Sequence, residues 1–561
     1  MSTQLDLRVT SGSSSRRSTG WGRLWATRKI SLRHLLRSRY TPIAMGVFLS
    51  PEPEVRLVKA FETPFQNALA TARTCYSSRG LITDDEITME KHGPLAKSIY
   101  RAGHHTVFTH AHFQFALNNV SRQFIWSFLH SHPFYNTEQV SQRYVEVKPE
   151  NFAIPPLRGA SLSIYTETIK SQMEAYRTLT DRLIPVVESE YGKLFPHRDL
   201  REKRYHRVIV KRALEVARYV LPVATLAYLY HTINAITLLR YYRLCQQYDA
   251  PLEQRLVVQK MVNEVLKQDP LYETILETPM ELQETPEYAF FAAHREATSR
   301  QARKTFIEEF DRSLDGRVAK LIDYKIRNEA VLADAVREVL GVSSTSMSDA
   351  EAIELVLNPA RNRLLGESLN LTTLSKLTRT LHHPAYTFRK KLSHTADSQD
   401  QRHRMTPGSR PCLIAHLTDE PDFVTPALIK VDDGIHRLYI ETMDRSWEGI
   451  NQLRRRGVSE EFALYLLPNA VSIRFTESAD LLHLHHKHAM RLCYLAQEEI
   501  WRASLEEALQ IREINPRIGR YLLPPCTQRM LSRTRPYCPE GDRYCGVRVW
   551  DLDVSEYQRL I

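Results

Sequence analysis

Between Tyr135 and Val147 the chain reads YNTEQVSQRYVEV, with Asn136, Thr137, Glu138, Gln139, Ser141, Gln142 and Arg143 crowded ahead of a strand-like Tyr144-Val145-Glu146-Val147. So dense a set of donors and acceptors is either a self-satisfied polar turn or a grip on a ligand rich in acceptor oxygens. Arg143 carries the most information, because its planar fork of N–H donors matches a phosphate or carboxylate two bonds at a time. A second group is HLHHKHAM, His483 to Met490, which on a helix puts His483, His486, Lys487 and Met490 on one face. Metal binding, cofactor contact and a solvated basic face are all open to it. A third is Cys526, Cys538 and Cys545. Three thiolates are part of a zinc ligand set, but no paired C-x-x-C knuckle accompanies them and no metal is assigned. No glycine-rich phosphate loop or dinucleotide fingerprint occurs, which argues against a Rossmann-type cofactor domain.

The elements that must position these residues come in two series. ARYVLPVAT (Ala217 to Thr225) returns as ALYLLPNAV (Ala463 to Val471), HHTVFTHAHFQF (from His104) is echoed by HHPAYTFRKKL (from His382), and VSQRYVEVKPENFAIPPL (from Val140) by QDQRHRMTPGSRP (from Gln399) and then DFVTPALI. Three echoes in the same order point to a tandem duplication. The expected organisation is a basic N-terminal segment over 1–44, a first domain over 45–310, a junction over 311–350 and a second domain over 351–561. HAHFQFAL and RYVEVK alternate as strands do. Residues 160–192 carry apolar side chains at helical spacing, 205–245 read as helix interrupted by Pro222, and 488–512 read as one helix. Strands and helices do not alternate strictly, so the expected class is α+β, each half holding a mixed or antiparallel sheet with long helices.

Composition narrows the functional classes. The 561 residues are 43% hydrophobic and 25% charged, enough to bury a core, and no apolar run approaches the length of a membrane span. The net charge of +11 admits anionic partners. Part of that charge is an end effect: residues 1–44 hold nine Arg or Lys and one acid, Asp6. That head has the composition of a transit peptide, or of sequence ahead of a start at Met45. With the basic excess concentrated there, neither a nucleic-acid nor a membrane partner is expected. The seven scattered cysteines fit a reducing, cytoplasmic setting, or an organelle if the head is a transit peptide.

Ser131-His132-Pro133, seven residues, then Ser141-Gln142-Arg143 resembles the signature of the flavin-dependent thymidylate synthases, which is Arg-His-Arg, seven residues, then Ser, usually followed by x-Arg. ARYVLP, TINAITLLRYYRL (from Thr232) and, in the second half, YLLPNAV and MRLCYLAQEEI (from Met490) are similar to the family's later blocks in the same order. The resemblance implies reductive methylation of dUMP to dTMP, with FAD as cofactor, methylenetetrahydrofolate as carbon donor and NADPH as co-substrate. It implies dUMP contacts from Gln139, Ser141, Gln142, Arg143 and Arg218, and FAD contacts from His104, Thr106, His132, Asn234 and His486. No protein nucleophile is implied, so the reaction rests on positioning and electrostatics.

The departures shape the expectation. Ser131 and Pro133 stand in place of both arginines of Arg-His-Arg, and the arginine that helps activate the pyrimidine falls on Cys245. Ile236 and Asp249 replace polar flavin contacts. In the second half Leu464 stands for Arg218, Asp480 for Asn234 and, on the echo, Asp400 for Ser141, whereas Arg491 falls where the first half has Cys245. This suggests complementation: Ser141 and Arg143 of half one meeting a catalytic Arg491 of half two. A catalytically degenerate homologue, or a C5-alkylase of another uridine nucleotide, is the alternative. Because the family's sites form across subunits of a tetramer, a fused chain implies a homodimer acting as a pseudo-tetramer.

Overall fold

The computed structural model describes residues 48–132, 134–246, 252–367, 369 and 375–561. The basic head, the start at Met45, Pro133 and Asp249 lie outside them. Strands β1 (Glu54–Ala60), β2 (His112–Ser121), β3 (Tyr135–Gln139) and β4 (Leu226–Asn234) form one antiparallel sheet in the order β1-β2-β4-β3. Strands β5 (Ala319–Tyr324), β6 (Ala385–Ser393), β7 (Gly408–Ser409) and β8 (Ser472–Asp480) form a second sheet in the matching order β5-β6-β8-β7. The fold is therefore α+β with two tandem copies of one topology. The stretch expected as a junction holds β5 and the helix Asn328–Leu340.

Alternation explains the sheets. In β2 Phe113, Phe115 and Leu117 point into an apolar core while their neighbours are more exposed. The helices that matter for the site are α1 (Arg122–His130), α2 (Gly159–Leu194), α3 (Lys203–Ala217), α4 (Ala235–Arg243), α5 (Leu252–Gln268), α6 (His394–Asp400), α7 (Asp433–Arg455), α8 (Leu481–Arg491) and α9 (Glu498–Ile514). Caps start several of them: Ser121 and Ser393 accept from Phe124 N and Ala396 N, and Asn234 and Asp480 from Thr237 N and His483 N.

Three sequence expectations fail here. The region 205–245 is not continuous helix, because LAYLYHTIN is β4, its β-branched and aromatic residues alternating across the sheet. Residues 488–512 break between α8 and α9 at Leu492–Gln497. Tyr144–Val147 is turn and coil, and the strand is Tyr135–Gln139 instead, because those residues find the free edge of β4.

Residues 48–561 form one compact unit, and the halves meet about a pseudo-twofold axis through the duplicated LP segments. Val223 N donates to Leu467 O (2.8 Å) and Asn469 N to Leu221 O (2.8 Å), with Pro222 bridged to Pro468. Buried carboxylates repeat the exchange. Glu253 accepts from Ser121 of its own half and from Tyr465 of the other, and Glu499 accepts from Ser393 and Tyr219. Helices α2 and α7 pack closely, and a Cβ on Gly449 would collide with Thr168 Oγ1. The cores then diverge. Half one packs Leu117, Tyr241 and Met261, whereas the matching positions of half two are Lys390, Lys487 and Glu507, which form a buried ion network with Asp400 and Glu477.

Candidate functional site between the halves

A cavity of about 890 Å³ opens where the end of α3 and the turn after β3 face the loop before β7 and the end of α8. Half one lines it with Arg143, Tyr144, Arg212 and Glu215; half two with Arg402, His403, His486 and Arg491. Arg143 Nε donates to Glu215, its Nη2 to Leu495 O (3.0 Å) and its Nη1 to Gln399 Oε1 (3.5 Å). Arg491 Nη2 donates to Gln399 O (2.9 Å) and its Nε to His403 Nε2 (2.8 Å). Gln399 thus joins the arginines of the two halves. Arg402 Nη2 reaches back to Glu138 Oε1 of half one at 2.8 Å.

Strand register corrects how the halves correspond. Asn234 and Asp480 hold the same place opposite His112 and Ala385, so Thr137, opposite His231, matches Gly408, opposite Glu477. Six residues before Thr137 and Gly408 stand Ser131 and Arg402, so Ser131-His132-Pro133 corresponds to Arg402-His403-Arg404. The bridges Phe152 to Thr225 and Phe423 to Val471 fix the other side, and eleven residues before them Ser141 corresponds to Cys412. Arg402 is therefore not the counterpart of Arg143, nor Asp400 of Ser141. Half two keeps an intact Arg-His-Arg and lacks Ser-x-Arg; half one has the reverse, and the fold brings Arg402 and His403 of one remnant and Arg143 of the other to one cavity, while Arg404 lies over Tyr135 in a separate cleft. The HH echo is also out of register: His382 matches Thr109, one turn past His104.

The remaining expected residues divide. Ser141 Oγ accepts from Arg143 N (3.2 Å) and shapes the turn. Gln142 is buried, and its Oε1 accepts from Asn469 of half two (3.1 Å). Arg218 is buried beneath Arg143, its Nε donating to Glu215 O (3.2 Å). Gln142 Nε2, Arg218 Nη2 and His486 Nδ1 are buried without a protein partner. Gln139 is held by Arg122, whose Nη1 donates to its Oε1 (2.8 Å) while Nη2 holds Val140 O (2.6 Å). His104, Thr106, His132 and Asn234 are not among the residues lining this cavity; they lie around the end of the first half's own sheet, where Asn234 Oδ1 accepts from Thr237. Sequence reasoning misses His403, Gln399 and Glu215, and it reaches Arg402 only as the echo of Arg143. The triplet was legible in QDQRHRM, but only to a reading that allowed one signature to be divided between two copies.

The electrostatics favour an anion. Burial pulls Arg491 down to about 10, with Asp400 opposing and Arg143 and Arg402 adding to the effect, so Arg491 is still charged at neutral pH beside two further arginines. Burial pushes the Glu215 carboxyl up, but Arg143, then Arg212 and Arg218, outweigh it and hold it at about 2. A carboxyl depressed in the folded state stabilises the protein above its unfolded value, and that contribution is lost as pH falls through the folded one. Glu215→Gln should therefore lower the melting temperature at pH 7. The gap to the parent should narrow as pH drops from about 4.5 toward 2; a gap independent of pH would show that the carboxylate is not the stabilising group.

A family model described as thymidylate synthase complementing protein matches residues 56–271 and again 320–517. A flavin-dependent thymidylate synthase of Clostridium tetani is 28% identical over 221 residues, 39% of this chain and 84% of that protein. That of Thermococcus kodakarensis is 33% identical over 172 residues, 29% of this chain and 67% of that protein. Among solved structures, the UMP/dUMP methylase PolB from Streptomyces cacaoi bound with 5-Br dUMP is 21% identical, covering 40% of this chain and 94% of its own, with a TM-score of 0.28.

Proposed function

The chain belongs to the thymidylate synthase complementing protein family, and from that premise we propose that it methylates dUMP to dTMP in a flavin-dependent reaction at one composite site per chain. The observation that carries this reading is the meeting of Arg402-His403 from half two with Arg143 from half one at the same cavity as Arg491. The cavity lies near the upper end of the roughly 300–1,000 Å³ typical of small-molecule sites. Its cations suit phosphate groups, and Tyr144, Tyr191 and Tyr494 line it with aromatic rings. A phosphorylated flavin and a nucleotide therefore fit the residues present.

In this reading FAD is held from half two, by His403 and His486, and not by His104, Thr106, His132 and Asn234. When bound, FAD would supply the hydride needed to reduce the carbon transferred from methylenetetrahydrofolate, with NADPH as the reductant. Arg143 and Arg402 grip the nucleotide phosphate, and Arg491, fixed by Gln399 and His403, sets positive charge against the pyrimidine. The matching place in the duplicate has Ser131, Cys245, Cys412 and Leu464 instead and carries no reaction. Two chains would supply the four halves of the family assembly, giving a homodimer.

The test is the absorption spectrum of the purified protein near the flavin bands, titrated with dUMP and with UMP, followed by assay of dTMP. One flavin per chain, perturbed by dUMP with turnover, is the expected result. Two flavins per chain would mean that both sites work. A flavin perturbed only by UMP would move the acceptor, and a colourless protein would make the chain a degenerate relative.

A further inference from the structure

We propose that His382, Asp480 and His483 form a binding site for a divalent transition-metal ion of the zinc class. His382 closes a short 3-10 turn, Asp480 ends β8 and caps α8, and His483 lies in the first turn of α8. His382 Nδ1 is 2.8 Å from Asp480 Oδ2 and His483 Nδ1 is 2.7 Å from Asp480 Oδ1. One ligand atom from each residue lies within 4.8 Å of both others. Ligands bonded to one ion at about 2.0–2.2 Å stand about 2.8–3.6 Å apart when cis or tetrahedral, so both His–Asp pairs already stand near a ligand–ligand separation. All three are partly solvent-exposed, which gives an ion an entry path.

The duplicate is an internal control. By strand register the same three places in half one are Thr109, Asn234 and Thr237. There Asn234 Oδ1 accepts from Thr237 N and Oγ1 (2.8 and 3.0 Å), and Thr109 bonds to Thr106 O. Capping a helix needs no more than that asparagine. Half two has exchanged all three neutral groups for two imidazoles and a carboxylate, the ligand set of a two-His, one-carboxylate site with open positions. The helix N-terminus opposes a cation, and the charge of Asp480 offsets it. An ion here would tie the 3-10 turn to the start of α8, the helix that carries His486 and Arg491 into the cavity.

The experiment titrates full-length, chelator-stripped protein with Co²⁺ at neutral pH, following its visible ligand-field bands, and then displaces it with Zn²⁺. The variants restore the residues of half one: Asp480→Asn, which keeps the cap, and His382→Thr with His483→Thr. The wild type is expected to take up one Co²⁺ per chain and to melt at higher temperature with it. Each variant should bind at least tenfold more weakly while keeping the metal-free melting temperature. No saturable uptake by the wild type, or equal uptake by the variants, would overturn the site. Flavin content is read separately, so failure here leaves the composite site untouched.

Discussion

Arg491→Ala is expected to slow dTMP formation by about 10²–10³-fold, the usual cost of removing one preorganised donor from a developing charge. The guanidinium is positioned before any ligand arrives, by Gln399 O and His403 Nε2, so little reorganisation is needed at the moment of reaction. Because Arg143 and Arg402 depress it, bringing an anion between them relieves repulsion among the three. Alanine removes the charge nearest the pyrimidine but leaves two arginines for the phosphate. Turnover should therefore fall far more than nucleotide affinity, a split that single-turnover assays and dUMP titration separate. Arg491→Lys keeps charge without the fork and should recover only part of the rate. At the matching place in half one, Cys245 is buried in the apolar core, and Cys245→Ala should leave turnover unchanged. Undiminished dTMP formation by Arg491→Ala would remove the composite site from consideration.

What the sequence made legible was whatever repeats locally. The LP segments, the apolar faces of α2 and β2, and the α+β class follow from periodicity that short windows contain. The divided site did not, because its parts are distant in sequence. Arg143 and Arg491 meet only after the halves pair along Leu221 to Ala224 and Leu467 to Ala470. The echo of VSQRY in QDQRH misled for a related reason: a shared Gln-Arg dipeptide outweighed strand register, which alone shows that Arg402 matches Ser131. LAYLYHTIN reads as helix because Leu and Ala at its start favour one, while its pairing with β2 and β3 depends on residues about a hundred positions away. The same misalignment sets Asp400 beside a phosphate. Fully buried, it is instead bound to Lys390 (2.5 Å) and Lys487 (3.2 Å), two cations with no counterpart in the apolar core of half one.

That last correction removes an expected asymmetry. On the echo that sets Asp400 in the place of Ser141, Arg402 stands for Arg143, and Arg402→Ala should then cost less than Arg143→Ala, since that carboxylate would already repel phosphate. Asp400 is instead buried against Lys390 and Lys487, outside the residues that line the cavity, whereas Arg402 lines it as Arg143 does. Each charge-assisted contact to a dianion contributes roughly 1.5–3 kcal/mol. Either alanine variant should therefore weaken dUMP binding by about tenfold to a hundredfold. Arg143→Ala leaves Glu215 buried but still paired with Arg212 at 2.9 Å, so the fold should survive. Equal losses alone do not distinguish one site from two, and the double variant does. If both arginines hold the same phosphate, the second substitution acts on a contact already weakened, and the combined loss should differ from the sum by about 0.5–3 kcal/mol. If each served a separate site, titration of flavin absorbance with dUMP would show two phases in the wild type, one of them missing in each single variant. One phase, a single flavin per chain and a non-additive double variant are the expected outcome; two phases would return the chain to two independent sites.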